Sequence, residues 1–172
     1  MDSTDANQLC LECGLCCNGV IFADGQLQPV DDVEHLRSLG LALKRPTKSG
    51  EVKFRQPCAA FDGCRCRIYA DRPRYCREFE CLLFKRVAEG EGELAAGLKT
   101  IRAARRRVDK VKRLLRRLGD ADEKAALSVR FRRMQRRFER GIPDAESADH
   151  YGQLTLAVHD LHLLLGESFY PG

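Results

Sequence analysis

The sequence predicts a mainly α-helical chain: a small, irregular α+β cysteine-rich region, then a C-terminal helical hairpin or three-helix bundle. Three observations lead there. All nine cysteines lie within the first 81 residues, where apolar runs are short and broken. Beyond them, apolar residues recur at three- and four-residue steps, the period of one helix face. Glycines stand where those stripes stop, as they do where helices end. With 44% hydrophobic residues in a chain of 172, there is enough apolar surface for a packed core of ordinary domain size.

Taken in order, Cys10–Cys17 predicts turns or a short helix, and Gly19-Val20-Ile21-Phe22 a short strand. Asp31-Asp32-Val33-Glu34-His35-Leu36 reads as the first turns of a helix, with acids near its positive end. Glu51–Arg55 alternates as a strand does, and Arg72-Pro73 opens a helix running through Phe79. Glu89-Gly90-Glu91-Gly92 breaks the chain. We place a cysteine-cluster unit at 1–88 and a basic helical region at 93–172. In the latter, Leu94, Leu98, Ile101, Ala104, Val108, Val111, Leu115 and Leu118 form one stripe ending at Gly119. Asp120 or Asp122 caps a second helix with stripe Leu127, Phe131, Met134 and Phe138, ending at Gly141. Asp144 caps a third, with Tyr151, Leu154, Val158, Leu161 and Leu165, ending at Gly166. Three such helices are expected to pack antiparallel around a shared seam.

The cysteines carry the chemistry. Cys10-x-x-Cys13-x-x-Cys16-Cys17 puts four thiols in eight residues, and Cys58, Cys64, Cys66, Cys76 and Cys81 form a second set. A two-residue gap lets a turn aim two sulfurs at one ion, about 2.3 Å from each for zinc. The same spacing suits three corners of a 4Fe–4S cluster, although the continuation x-x-x-Cys-Pro is absent. Adjacent side chains diverge, so Cys16 and Cys17 are expected to serve different ions, or only one of them to be a ligand. No histidine lies within either set, and an all-thiolate site is soft, which favours zinc or Fe–S over magnesium or calcium. Arg65, Arg67, Arg72, Arg74 and Arg77 crowd the second set and can offset the charge of about −2 that four thiolates leave around Zn²⁺. Buried hydrophobic cysteine and disulfide pairing are the alternatives; the density of thiols and their odd number argue against both.

These residues resemble a known family. Cys10-x-x-Cys13-x-x-Cys16-Cys17, then Pro57-Cys58, then Cys66-Arg67-Ile68-Tyr69-Ala70-Asp71-Arg72-Pro73-Arg74-Tyr75-Cys76-Arg77-Glu78-Phe79 is similar to the bacterial CxxCxxCC zinc/iron-chelating proteins, the YkgJ-like cysteine-cluster family. The resemblance implies metal ligation by Cys10, Cys13, Cys16, Cys17, Cys58, Cys66 and Cys76, with Cys81 beside them. Cys64 is then an addition and the spare thiol. A related cysteine motif occurs in flagellin lysine methylases. This chain is shorter and shows no Gly-rich nucleotide loop, so that activity is not carried over.

Charge is uneven. Residues 99–140 hold 17 Lys/Arg against 5 Asp/Glu, and residues 141–172 hold 5 Asp/Glu and no Lys or Arg. Arg105, Arg106, Arg107, Lys112, Arg113, Arg116, Arg117, Arg132, Arg133, Arg136 and Arg137 form a candidate polyanion contact, for nucleic acid or an acidic protein. The alternative is a solvated outer face. Phe131 and Phe138 sit on the apolar stripe and read as core. His159 and His162 share a helix face but lack a matched carboxylate pair, and read as ordinary surface or packing residues. No Ser/His/Asp arrangement, P-loop or paired-carboxylate motif supports catalysis independently. The expected function is therefore a metal-binding protein holding zinc or an Fe–S centre, with an Fe–S-dependent enzyme and a zinc-stabilised nucleic-acid-binding module as alternatives. No apolar run has membrane-spanning length, and the polar start lacks a signal-peptide pattern, so a cytoplasmic location is expected.

Overall fold

A computed structural model describes residues 3–63, 65–141 and 144–170. Cys64, the expected spare thiol, lies outside the described residues, as do Ile142 and Pro143. The chain is mainly helical. Its elements are α1 (Ser3–Cys13), β1 (Asp24–Gln26), α2 (Val33–Ser38), β2 (Lys53–Arg55), α3 (Arg74–Glu78), α4 (Leu82–Ala88), α5 (Leu94–Arg117), α6 (Leu127–Glu139) and α7 (Ala145–Ser168). Among the described residues no helix is long and apolar enough to cross a membrane.

Several expectations meet the structure directly. Asp32 caps α2 by accepting from the His35 N–H at 2.9 Å, and Asp144 caps α7 by accepting from Ser147 N–H at 2.7 Å. Arg74–Glu78 is helical behind Pro73, with Phe79 as its C-cap. Gly119 takes φ +84° just past the end of α5, the left-handed conformation that closes a helix.

Others are corrected. Gly19–Phe22 forms turns and bends, and the strand lies after it, β1 pairing antiparallel with β2 through Gly25 opposite Phe54. Gly25 allows this because a Cβ there would sit 2.1 Å from the Phe54 ring. Asp120 and Asp122 do not cap α6, whose N-cap is Ala126 with no side-chain hydrogen bond. Both acids are engaged by arginines of α6 instead. Gly166 lies inside α7, which continues to Ser168 because its inward neighbour Leu165 and the following Phe169 are both buried. Helix α4 was not anticipated.

The three long helices are not all antiparallel to one another. The end of α7 returns to the start of α4, where Leu82 N–H donates to Phe169 O at 3.2 Å, so α7 runs against α5. The connection after α5 turns back along it, with Glu123 near Lys112 (3.9 Å) and Arg116 (3.4 Å). Helix α6 then runs down that connection, Arg130 meeting Asp120 and Arg137 meeting Leu118 O. It therefore ends beside the end of α5 and runs in the same sense. Two apolar cores result. The larger joins Ala6, Leu9, Leu15 and Val87 to the inner faces of α5, α6 and α7; the smaller gathers Leu27, Leu36, Leu41, Phe54, Ala60 and Ile68. The cysteines lie where these cores adjoin.

Candidate metal centre

Helix α1 brings Cys10 and Cys13 to its last turn. Reversal follows at Gly14, whose φ of +64° disfavours a side chain and whose missing Cβ leaves room for the Phe61 ring, 2.5 Å from where that atom would be. Asn18 N–H donates back to Gly14 O at 2.9 Å and closes the turn that carries Cys16 and Cys17. The Cys58 N–H donates to Cys17 O at 2.7 Å, which ties the second set to the first. Cys66 pairs across a single antiparallel bridge with Phe61, Cys76 rides on α3, and Cys81 caps α4, its sulfur accepting from Phe84 N–H at 3.4 Å. Among the described residues all eight cysteines are free thiols, Cys10 exposed and the others half-buried.

The thiols sense one another in two groups. Burial first, then Cys13, Cys17, Cys81 and Cys10, push Cys16 well above the ordinary value. Burial, then Cys58, Cys66, Cys76 and Cys10, raise Cys17. Cys13 is pushed up to about 12, chiefly by burial, with Cys81 and Cys10 adding repulsion. Cys76 also reaches about 12, by burial and then by Cys58 and Cys66. The adjacent pair thus feels different neighbours: Cys16 is raised by Cys13, Cys17 and Cys81, Cys17 by Cys58, Cys66 and Cys76, and Cys10 acts on both.

Two adjoining cavities share Cys10, Cys16 and Cys17 and differ in their remaining thiols. One, of about 60 Å³, has Cys10, Cys13, Cys16, Cys17 and Cys81 in its wall, closed by Leu15, Phe84, Ile101 and Phe169. The other, of about 70 Å³, has Cys10, Cys16, Cys17, Cys66 and Cys76, with Phe61, Tyr69, Tyr75 and Phe79. Among the described residues no three Cys, His, Asp or Glu side chains are arranged in ligand geometry around one point, so the cysteines are gathered without closing a coordination sphere. The donor set nonetheless fits a soft cation. Thiols raised by burial and mutual repulsion are costly to ionise alone, and a bound cation removes that cost.

Of the five arginines expected around the second set, Arg67 acts on Cys58 and Arg72 on Cys10 and Cys76, and Arg72 is the one in a cavity wall. It stacks over the Tyr69 ring at 3.7 Å, holds Cys10 down against burial, and its buried Nε has no partner in the second cavity's wall. The buried Gln56 Oε1 in the same wall is also unpartnered. Arg67 donates to Ala59 O, Arg74 pairs with Glu78, and Arg65 is exposed. Sequence reasoning missed Gln56 and Phe169, which are remote in the chain and carry no motif.

The expected polyanion contacts are sorted differently from their charge pattern. Arg105 donates from Nε and Nη2 to Cys13 O (3.2 and 3.0 Å), bracing the end of α1. Lys112 and Arg116 pair with Glu123, Arg133 with Asp120 and Asp122, and Arg137 donates to Leu118 O at 2.6 Å. Arg106, Arg107, Arg113, Arg117, Arg132 and Arg136 are exposed, and no ion-pair partner stands against them among the described residues. His159 and His162 are both exposed on α7.

No curated protein and no solved structure matches the chain. Residues 9–97, just over half of it, match the family CxxCxxCC, described as "Putative zinc- or iron-chelating domain". The matched stretch runs from the last turns of α1 to the first turn of α5 and takes in all nine cysteines. The chain belongs to the CxxCxxCC family of zinc- or iron-chelating domains.

Proposed function

We propose that the protein holds two thiolate-ligated metal centres, one on Cys10, Cys13, Cys16 and Cys81 and the other on Cys17, Cys58, Cys66 and Cys76. One observation carries this reading: Cys13 and Cys81 line only the first cavity and Cys66 and Cys76 only the second, with the neighbouring thiols Cys16 and Cys17 between the two. Zinc would cross-link the walls around each centre; an Fe–S cluster would add one-electron transfer. Arg72 would offset thiolate charge at the second centre and offer its free Nε–H to a ligand sulfur. A reducing, cytoplasmic compartment belongs to this reading, because the free thiols need it. Anaerobic purification followed by an absorption spectrum and metal analysis is the test. Visible absorption with stoichiometric iron and sulfide assigns Fe–S, and a colourless protein with stoichiometric zinc assigns zinc. Absence of any bound metal after reconstitution sinks the proposal. Cys16→Ser and Cys17→Ser should each remove about half of the metal, from different centres, and Cys64→Ser should leave it intact.

A second reading concerns partners. A groove of about 550 Å³ lined by Val129, Arg132, Arg133, Arg136, Arg137 and Arg140 supports an anionic partner for the basic region. Heparin retention lost in Arg132→Glu/Arg136→Glu would support that contact, and unchanged retention would remove it.

A further inference from the structure

Helix α7 carries one outer stripe of Asp149, Leu156, Asp160, Leu163 and Glu167, residues 7, 4, 3 and 4 apart and so on a single helix face. Leu156 is 66% exposed and Leu163 53%, and Tyr170 beyond the helix extends the line at 36%. These are three of the few large apolar side chains this chain leaves in water, and carboxylates flank them. No ion-pair partner stands against Asp160 or Glu167 among the described residues.

The matching surface is on α6. Val129, 40% exposed, begins a stripe that continues through Arg132, Arg133, Arg136 and Arg140. Arg133 is held by Asp120 and Asp122. Arg132, Arg136 and Arg140 lack an ion-pair partner among the described residues, and they follow one another at four-residue steps over about 12 Å of helix. Beside Arg132 opens a cleft of about 240 Å³ floored by Val20, Leu127, Phe131, Val158, Leu161 and Leu165. That is smaller than the roughly 300–1,000 Å³ of a small-molecule pocket, and its floor is apolar, as suits a protruding aliphatic side chain.

The two stripes cannot meet within one chain. The side of α7 that faces α6 is Val158, Leu161, His162 and Leu165, whereas Leu156 and Leu163 lie on the side away from the core. We infer that the acidic, leucine-bearing face of α7 from a second copy docks on the arginine face of α6, Asp160 and Glu167 pairing with the free arginines and Leu156 or Leu163 entering the cleft. This rests on the anionic-partner reading of the basic region and names the partner. A nucleic-acid backbone would satisfy the arginines but leave both the cleft and the exposed leucines in water. The mixed apolar and charged match favours protein, as the apolar centre and charged rim of protein interfaces do.

Sedimentation velocity on the full metal-loaded chain tests this. Wild-type protein should associate reversibly at about 0.1 M salt and weaken by about tenfold at about 0.5 M, since exposed pairs are screened. Arg132→Glu/Arg136→Glu and Asp160→Arg/Glu167→Arg should each be monomeric alone, with unchanged circular dichroism. Mixed together they should associate, because the reversed charges again complement one another. A wild-type monomer at all concentrations overturns the inference, as does an oligomer indifferent to both pairs of substitutions. Titration with duplex DNA and heparin separates the two levels: a monomer that binds either through Arg132 and Arg136 keeps the anionic-partner reading and loses the second copy. A monomer that binds neither loses both.

Discussion

Arg130 occupies a place that the helical pattern reserves for an apolar side chain, three residues after Leu127 and four before Met134. Its side chain is 1% exposed, donating from Nε to Asp120 Oδ1 (3.0 Å), from Nη2 to Asp120 O (2.9 Å) and from Nη1 to Glu123 (3.1 Å). Asp120 is itself 2% exposed. Removing one partner strands a buried charge, so Arg130→Ala should cost about 3–5 kcal/mol in denaturant unfolding. Arg130→Met with Asp120→Leu should recover most of that loss, because it removes both charges together. The cysteines make a second residue-scale prediction, in pH. Thiols held above their ordinary value near 9.0 favour the metal-free fold while protonated. That contribution is full below the unfolded pKa and lost as pH rises through it toward about 12, because the unfolded chain releases its protons first. Metal binding reverses the sign, since ligation requires thiolate. Titrating the metal-free protein with zinc in weak buffer should release about four protons per centre, and apparent affinity should fall as pH falls. Uptake without acidification would show that thiols are not the ligands.

At the scale of elements, the cysteine turn is held by contacts that the motif itself does not contain. Helix α1 approaches α5 at Gly97, where a Cβ would sit 2.9 Å from Leu9 Cδ2. Alanine there gains helix propensity but crowds Leu9, two effects of opposite sign. Valine crowds it further, so Gly97→Val should destabilise the protein by about 1–3 kcal/mol and lower metal retention by displacing the helix that carries Cys10 and Cys13. Equal stability with full metal retention would mean that the α1–α5 approach does not position the cysteines. Arg105 braces the same helix from α5 through Cys13 O. Leu127 N–H, at the start of α6, donates to Gly19 O at 2.8 Å, two residues after Cys17. Each long helix thereby touches the cysteine region, α7 through the buried Phe169.

Across the whole molecule, the two cores differ in size and in what else supports them. The larger draws on α1, α4 and the three long helices; the smaller is built from six buried residues around a two-stranded sheet. A core that small gains much of its stability from a bound cross-link. Chelation should therefore expose amides around Phe54 and Ile68 to hydrogen exchange, while α5–α7 keep their helicity. Loss of both in a single cooperative step would mean that the two cores fold as one unit.

Much of the helical architecture was legible because it is local. Stripes at three- and four-residue steps, Asp32 and Asp144 as caps and Gly119 as a terminator all act within a few residues of chain. The failures came where a distant group competed: Asp120 and Asp122 turned from capping to pairing with arginines, and Gly166 was carried through a helix by the burial around it. The candidate site divides in the same way. Thiol density and spacing, together with the family resemblance, determined from sequence alone that this is a cysteine-cluster metal-binding chain. Which thiols come together was decided only in three dimensions, because Cys58 and Cys81 come from separate stretches that the chain brings back to the Cys16-Cys17 turn, Cys58 N–H donating to Cys17 O and Cys81 sharing a cavity wall with Cys16. The basic stretch was equally visible as charge, but only tertiary contacts separated the arginines that hold the fold from those left free, since like charges in a sequence carry no record of their partners.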